Sequence, residues 1–337
     1  MAENTAISWT DHTINFWIGC QKVSPACSAC YAEGMAARFW PGHWGPDAPR
    51  LLRVEAATRE AMRYQRRAVK EGRRSRVFTN SMSDFFEDRW DLDDARLEAL
   101  DVIRRTPDLD WLILTKRPEK VIGLLAMAQK RVIVGDPLDR NPALADWLGW
   151  WISGKAPANV WMGTTVEDQE RADQRIPDLL KVPAAVRFLS CEPLLGPLSM
   201  RWTPYAYQAT GETYRQYLER NGQINHLEAL RKLDWVIAGG ESGPNARPSH
   251  IGWFRGLRDE CAAAGVPFLF KQHGEWAPAT GDLWWNPLPD GPQFRTRSGS
   301  IGTHAFGDGY GAVRIGKKAA GRLLDGVEHN EFPRSAR

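Results

Sequence analysis

Three cysteines close to the start of the chain carry its strongest chemical signal. Cys20-QKVSPA-Cys27-SA-Cys30 has the spacing C-x6-C-x2-C. Thiolates are soft ligands suited to iron–sulfur clusters or zinc. A closed structural zinc site takes four ligands. A count of three therefore predicts a [4Fe-4S] cluster with one iron left open to an external ligand, unlike the four-ligand clusters of electron-transfer proteins. The spacing leaves other readings open: a zinc ion completed by His12 or His43, reduced thiols without metal, or an electron-transfer cluster that recruits Cys191. Cys261 lies in an apolar helical pattern and reads as core.

Further candidates follow short apolar runs. Asn80-Ser81-Met82-Ser83-Asp84, Lys116-Arg117-Pro118, Thr164-Thr165-Val166-Glu167, Cys191-Glu192-Pro193, Gly239-Gly240-Glu241-Ser242-Gly243 and Lys271-Gln272-His273 are polar clusters of this kind. Glycines at 239 and 240 allow close backbone approach to a ligand, although a tight strand-to-helix turn explains them as well. Asp84, Glu87, Glu167 and Glu192 could hold a polar cofactor or move protons; Asp84 and Glu167 are equally well placed as helix caps. Lys116, Arg117 and Lys271 could take a carboxylate or phosphate. Lys116, Glu192 and Lys271 are accordingly the catalytic candidates. Arg63, Arg66, Arg67 and Lys70 share one helix face and could meet phosphates, with a solvated face as the plainer reading. The 16 tryptophans suit core packing or stacking on a flat ligand.

The elements that must position these groups can be read from the hydrophobic pattern. Runs at Ile14–Cys20, Arg76–Thr79, Trp111–Thr115, Val160–Gly163, Val186–Ser190, Trp235–Ala238 and Pro267–Phe270 are short and nearly all apolar, as strands buried on both faces are. Helical patterns at Val54–Glu71, Asp93–Arg105, Pro118–Lys130, Glu167–Leu180 and Gly252–Ala264 alternate with them. Repeated βα units predict an α/β fold, a partial or complete (β/α) TIM-like barrel whose polar strand ends share one face; an open doubly wound sheet is the alternative. Residues 201–232 read as an insertion, and 280–337 as a Gly- and Trp-rich loop followed by a basic appendage, leaving 1–279 as the barrel domain. The chain has 337 residues, 25% of them charged, and a formal charge of +3, too small for a global field that would draw it to nucleic acid or membrane. No run approaches the ~20 apolar residues of a membrane span, and Met1–Thr10 has no apolar core of a leader. The expectation is a cytoplasmic protein with no membrane partner.

Several ordered segments add a family likeness: ISWTD (Ile7–Asp11), GCQKVSPACSACYAE (Gly19–Glu33), LTKRPE (Leu114–Glu119), VWMGTTVEDQ (Val160–Gln169), LSCEPLLGPL (Leu189–Leu198), DWVIAGGESGPNARP (Asp234–Pro248), VPFLFKQHGEW (Val266–Trp276) and GRLLDGVEHNEFP (Gly321–Pro333). Together they resemble a phage- and prophage-associated three-Cys-motif, radical-SAM-like family of unknown function. The resemblance implies a [4Fe-4S] cluster on Cys20, Cys27 and Cys30 that binds S-adenosylmethionine (SAM) and, with an external electron donor, generates a deoxyadenosyl radical. That radical would modify a nucleic-acid base, a nucleoside or a related small molecule, and a partner protein could be required. It further implies that Ser81 and Asp84 lie near the SAM amine, Thr165 and Glu167 near the ribose, and Gly239, Gly240 and Glu241 near the adenine or substrate. The chain departs from the common radical SAM spacing in its first gap, six residues instead of three. The competing reading is a zinc-stabilised phage nucleic-acid-binding or interaction protein without catalysis.

Overall fold

The computed structural model describes residues 5, 7–135, 141–200, 216, 230–279 and 302–333. Seven parallel strands form its central sheet in the order β1 (His12–Ile14), β4 (Ser75–Thr79), β5 (Leu109–Thr115), β6 (Val160–Thr165), β7 (Val186–Cys191), β8 (Trp235–Gly239) and β9 (Phe268–Gln272). Apart from the short pair β2 (Trp17–Ile18) and β3 (Leu51–Leu52), the order follows the chain. Each return must therefore cross over outside the sheet, which is how a half-barrel grows.

The first apolar run does not stay one strand. Asn15 interrupts it: its side-chain oxygen accepts from Met82 N at 2.8 Å, and Phe16 N is taken by Asn80 Oδ1 at 3.0 Å. Residues 17–18 then leave the sheet and pair antiparallel with β3.

Register fixes which side chains share a face, because lateral partners in a sheet point the same way. Thr13, Phe78, Leu112 and Trp161 lie in one row, and Leu114 and Gly163 follow above. Trp9 packs on Phe78 at 4.6 Å between ring centroids. The opposite face meets the helices: His12 stacks on Tyr64 at 3.9 Å and 5°. Tyr64 belongs to α2 (Val54–Glu71), which follows α1 (Tyr31–Phe39). The buried side of α2 is Val54, Ala57, Ala61, Tyr64 and Ala68, small residues at helical spacing that let the helix lie close to the strands. Gly72 ends it with φ 60°, a left-handed conformation open to glycine. α3 (Asp93–Arg105) begins on Asp93 and Asp94 and ends on Arg104 and Arg105, charges that complement its dipole. α4 (Val121–Val134) packs against α5 (Pro142–Ile152), a helix not evident in the sequence pattern; Asn141 caps α5 by accepting from Leu144 N. α6 (Gln169–Lys181) and α7 (Ile251–Ala264) complete the βα rhythm.

The chain divides into two compact units. The first is Met1–Thr165 with Gln174–Phe188 and Arg334–Arg337; the second is Val166–Asp173 with Leu189–Pro333. Within the second, β10 (Trp276–Ala279), β11 (Thr303–Ala305) and β12 (Gly311–Arg314) form a small antiparallel sheet in the order β10-β12-β11, followed by α8 (Lys317–Ala320). Residues 303–305, expected as loop, are thus a strand. Most of the expected insertion at 201–232, and the loop at 280–301, lie outside the described residues.

Of the partial or complete barrel expected, the described residues show an α/β half-barrel, not a closed radical-SAM barrel. The outer edge of β9 is occupied by the chain's own tail. Phe270 N donates to His329 O at 3.0 Å, and Glu331 N to Phe268 O at 3.3 Å. A capped edge has no free donors or acceptors on which another strand could pair.

Candidate functional site

In the first unit, the polar residues after β4 and β5 form a buried network. The Asp84 carboxylate accepts from Phe86 N (3.0 Å), Thr115 Oγ1 (2.7 Å), Lys116 N (2.9 Å) and Arg117 Nη1 (2.7 Å). Glu87 takes Arg50 in a two-pronged pair, 2.9 and 2.7 Å, and both side chains are inaccessible to solvent. Arg50 also donates to the carbonyls of Gly45 (2.9 Å) and Ala48 (2.7 Å). Arg117 reaches Gln21 O at 3.3 Å. The network therefore ties the cysteine-bearing segment to the strand ends. Asp84 is saturated, which makes it a structural anchor. Ser81 exchanges hydrogen bonds with Asn15, and its carbonyl accepts from Tyr31 Oη at 3.0 Å. Lys116 is half-buried and forms no ion pair among the described residues. Thr165, at the end of β6, has a buried hydroxyl with no hydrogen-bond partner among the described residues.

The three cysteines do not form the expected metal centre. Among the described residues no group of three or more His, Cys, Asp or Glu side chains is placed to hold a metal ion. The thiols have separate surroundings. Cys20 Sγ bonds to Gln21 O at 3.5 Å, Cys27 Sγ to Ser24 Oγ at 3.8 Å, and Cys30 packs beside the cluster of Ile18, Ala32, Ala36 and Met82. Burial, and then the charges of Asp84 and Glu87, push the Cys20 thiol up to about 12, against the smaller opposing effect of Arg117 and Lys116. The protonated thiol is the poorer ligand. The [4Fe-4S] cluster, the SAM that would bind its open iron, the radical enzyme built on both and the zinc alternative are corrected accordingly. Cys191 and Cys261 are buried, and burial raises both thiols.

In the second unit, the ends of β7, β8 and β9 form a different cluster. Register slips between Ala238 and Gly239: Ala238 pairs with Phe270, whereas Gly239 pairs with Gln272. Lys271 is the extra residue of a β-bulge, a device that re-aims side chains beside functional sites. The consequence is visible in the contacts. Lys271 Nζ lies 2.8 and 3.0 Å from the two Glu192 oxygens, and Gln272 Nε2 lies 3.3 Å from Glu192 Oε1 and 2.8 Å from Ser242 Oγ. Two consecutive residues thus reach the same carboxylate, which alternation along a regular strand forbids. The Glu192 and Lys271 side chains keep 17% and 20% of their surface exposed, so solvent reaches the pair. Gly240 is fixed by close approach: a Cβ there would sit 1.9 Å from His273 O. At Gly239 a Cβ would only make ordinary contacts, with Glu192 and the Gln272 carbonyl, at 3.4 Å. Glu241 is engaged elsewhere, accepting from Arg247 N, Nε and Nη2 at 2.8, 2.8 and 2.6 Å. Glu167 is fully buried.

Of the expected site residues, Glu192, Lys271 and Gly239 come together in the second unit, with Gly240 next in the chain. Asp84 is the hub of the buried network of the first, with the backbone of Lys116 among its donors and Cys20 and Ser81 beside it. Arg50 is a member that sequence reasoning missed, whereas Gln272 and Ser242 stood within the expected strand-end clusters without an assigned role. The bulge that recruits Gln272 leaves no compositional mark, and Arg50 pairs with a carboxylate 37 positions away.

The profile of a family of proteins of unknown function, DUF5131, matches residues 4–333. That match, with the dispersed thiols, replaces the resemblance to a three-Cys, radical-SAM-like family. No curated protein and no solved structure matches the chain.

Proposed function

Since the chain belongs to the DUF5131 family, whose function is unknown, we propose its role from its own side chains: it binds a small polar molecule at the β7–β9 strand ends of its second unit, with Lys271, Gln272 and Glu192 as the contacting groups. The observation that carries this reading is the bulge, which turns Lys271 and Gln272 together onto a carboxylate that solvent can reach. A ligand with an anionic group replaces Glu192 as the partner of Lys271. The freed carboxylate then accepts from an N–H or O–H of the same ligand. Gly239 brings backbone without a side chain against Glu192, so a ligand can approach the carboxylate more closely than beside another residue. Ligands of parallel sheets bind outside the carboxyl ends of the strands, which supports this location. Glu192 and Lys271 are proposed as binding groups, and a proton transfer between them and the ligand is within their chemistry.

The test is a thermal-shift screen of the whole chain with two probe sets, amino acids and nucleoside monophosphates, run in parallel on Lys271→Met. Stabilisation of the parent that disappears in the variant supports the reading. Equal stabilisation of both proteins, or none of the parent by any probe, sinks it.

A further inference from the structure

The outward side of α2 carries a second, independent feature. Arg59, Arg63, Arg66, Arg67 and Lys70 are all exposed. At 100° per residue they fall within one stripe about 100° wide, opposite the small buried residues of the same helix. Glu55, Glu60 and Glu71 lie at the margins of that stripe, not within it. Arg59 meets Glu55 at 3.6 Å with both side chains largely in solvent, and Arg67 meets Glu71 at 2.7 Å. Arg66 and Lys70 have no carboxylate within 4.0 Å among the described residues.

The neighbouring cations are treated differently. Arg74 pairs with Asp110 at 2.6 Å and Arg76 with Asp11 at 3.3 Å. Arg66 and Lys70 are therefore left without a carboxylate among the described residues, while the adjoining segment pairs its cations. Like charges at i, i+4, such as Arg59 with Arg63, Arg63 with Arg67, and Arg66 with Lys70, each cost a few tenths of a kcal/mol in an isolated helix. A stripe that opposes the helix's own stability calls for an anionic partner. From Arg59 to Lys70 the stripe advances ~16 Å along the axis at ~1.5 Å per residue. One strand of a duplex presents ~5 phosphates over that length, at ~3.4 Å each.

We infer that the outward face of α2 docks on a nucleic-acid backbone, with Arg66 and Lys70 as its central phosphate contacts. No base edge is read by such a stripe, so binding is independent of sequence and falls steeply with salt. This surface is separate from the ligand site proposed for the second unit, and neither depends on the other.

The experiment is fluorescence anisotropy of a labelled DNA duplex, an RNA duplex of the same sequence, and phosphatidylserine vesicles, against the whole chain over a salt series. The variants are the double substitution Arg66→Ala, Lys70→Ala and, as a charge-matched control, Lys317→Ala, Lys318→Ala on α8. Circular dichroism checks that each is folded. Duplex binding is expected for the parent, with the slope of log K against log salt shallower by about 1.8 in the Arg66/Lys70 variant, since each lost contact removes ~0.9. The control keeps the parent slope. DNA and RNA curves that differ identify which backbone is preferred. No duplex binding at low salt, an unchanged slope in the Arg66/Lys70 variant, an equal loss in the control, or capture by vesicles but not by either duplex overturns the inference.

Discussion

Two carboxylate–cation pairs at the ends of parallel strands are built in opposite ways. In the first unit, Glu87 and Arg50 have side-chain exposures of 0% and 1%, and nearby Asp84 accepts four hydrogen bonds. In the second, Glu192 and Lys271 stand 17% and 20% exposed, and among the described residues Glu192 accepts only from Lys271 and Gln272. A buried pair recovers its desolvation cost only when the remaining donors and lone pairs are satisfied. The first network meets that condition and has nothing left to offer a ligand. The second retains unused lone pairs and a path to solvent. Strand-end position alone therefore does not mark a binding group; unsatisfied capacity does.

Breaking the closed network gives the largest effect. Glu87→Ala leaves the Arg50 guanidinium buried without its carboxylate, for which a loss of about 3–5 kcal/mol is expected. Urea denaturation followed by tryptophan fluorescence measures it. If the variant loses less than about 1 kcal/mol, the pair is not the clamp described. Simultaneous replacement of Arg50 and Glu87 by apolar residues should recover much of the loss.

The contrast between the networks also explains what the sequence made legible. Apolar runs and their polar ends located the strands and helices closely: Val54–Glu71 and Asp93–Arg105 are helices over those same residues. Long, strongly patterned segments obey local rules. The site was less legible, because its defining events are not local. Asp84 looked like a proton-moving group or a cap, yet its four donors come from residues 86, 115, 116 and 117, three of them on another strand end. Lys271 was visible as a cation after a strand, but the bulge that brings Gln272 beside it depends on pairing with β8. The cysteine spacing suggested convergence that the backbone does not produce, since Cys30 starts α1 and turns toward an apolar cluster.

The next effect is intermediate and local. Gly240→Ala forces a Cβ to within 1.9 Å of the His273 carbonyl, so backbone must move. A loss of about 1–3 kcal/mol is expected, the range for overpacked sites. Weaker ligand binding should accompany it, because His273 directly follows Gln272. Gly239→Ala meets only ordinary contacts at 3.4 Å and should cost less than Gly240→Ala. Equal costs at the two positions would remove the distinction.

Opening the second pair should hardly affect stability. Lys271→Met is expected to change the unfolding free energy by about 1 kcal/mol or less, near the upper end for accessible pairs, while abolishing the proposed ligand response. This is the reverse of Glu87→Ala, which damages stability first. A Lys271→Met variant that unfolds as readily as Glu87→Ala would erase the comparison between the two networks.

The smallest effect is a pH dependence beside the open pair. Burial lowers the His273 pKa below 6.5, against weaker opposing contributions from its hydrogen bond to Leu323 O and from Asp325. The imidazole packs against Phe254 and Phe270, and its Nε2 lies 2.9 Å from the Leu323 carbonyl. The neutral ring donates there, which fixes the proton on Nε2. Because the folded pKa is depressed, the unfolded chain binds the proton more readily as pH falls. The contribution of His273 is therefore fully present above pH 6.5 and lost as the pH drops below 6.5 toward its folded pKa. Urea midpoints measured on both sides of 6.5 should fall with acid in the parent. In His273→Gln they should fall less, because that proton-binding difference is gone while a side-chain donor to Leu323 O remains. Parallel decline in both proteins would assign the acid sensitivity to other groups, Asp325 among them, although its pKa of about 2 places its own loss in a lower range, between about pH 4 and 2.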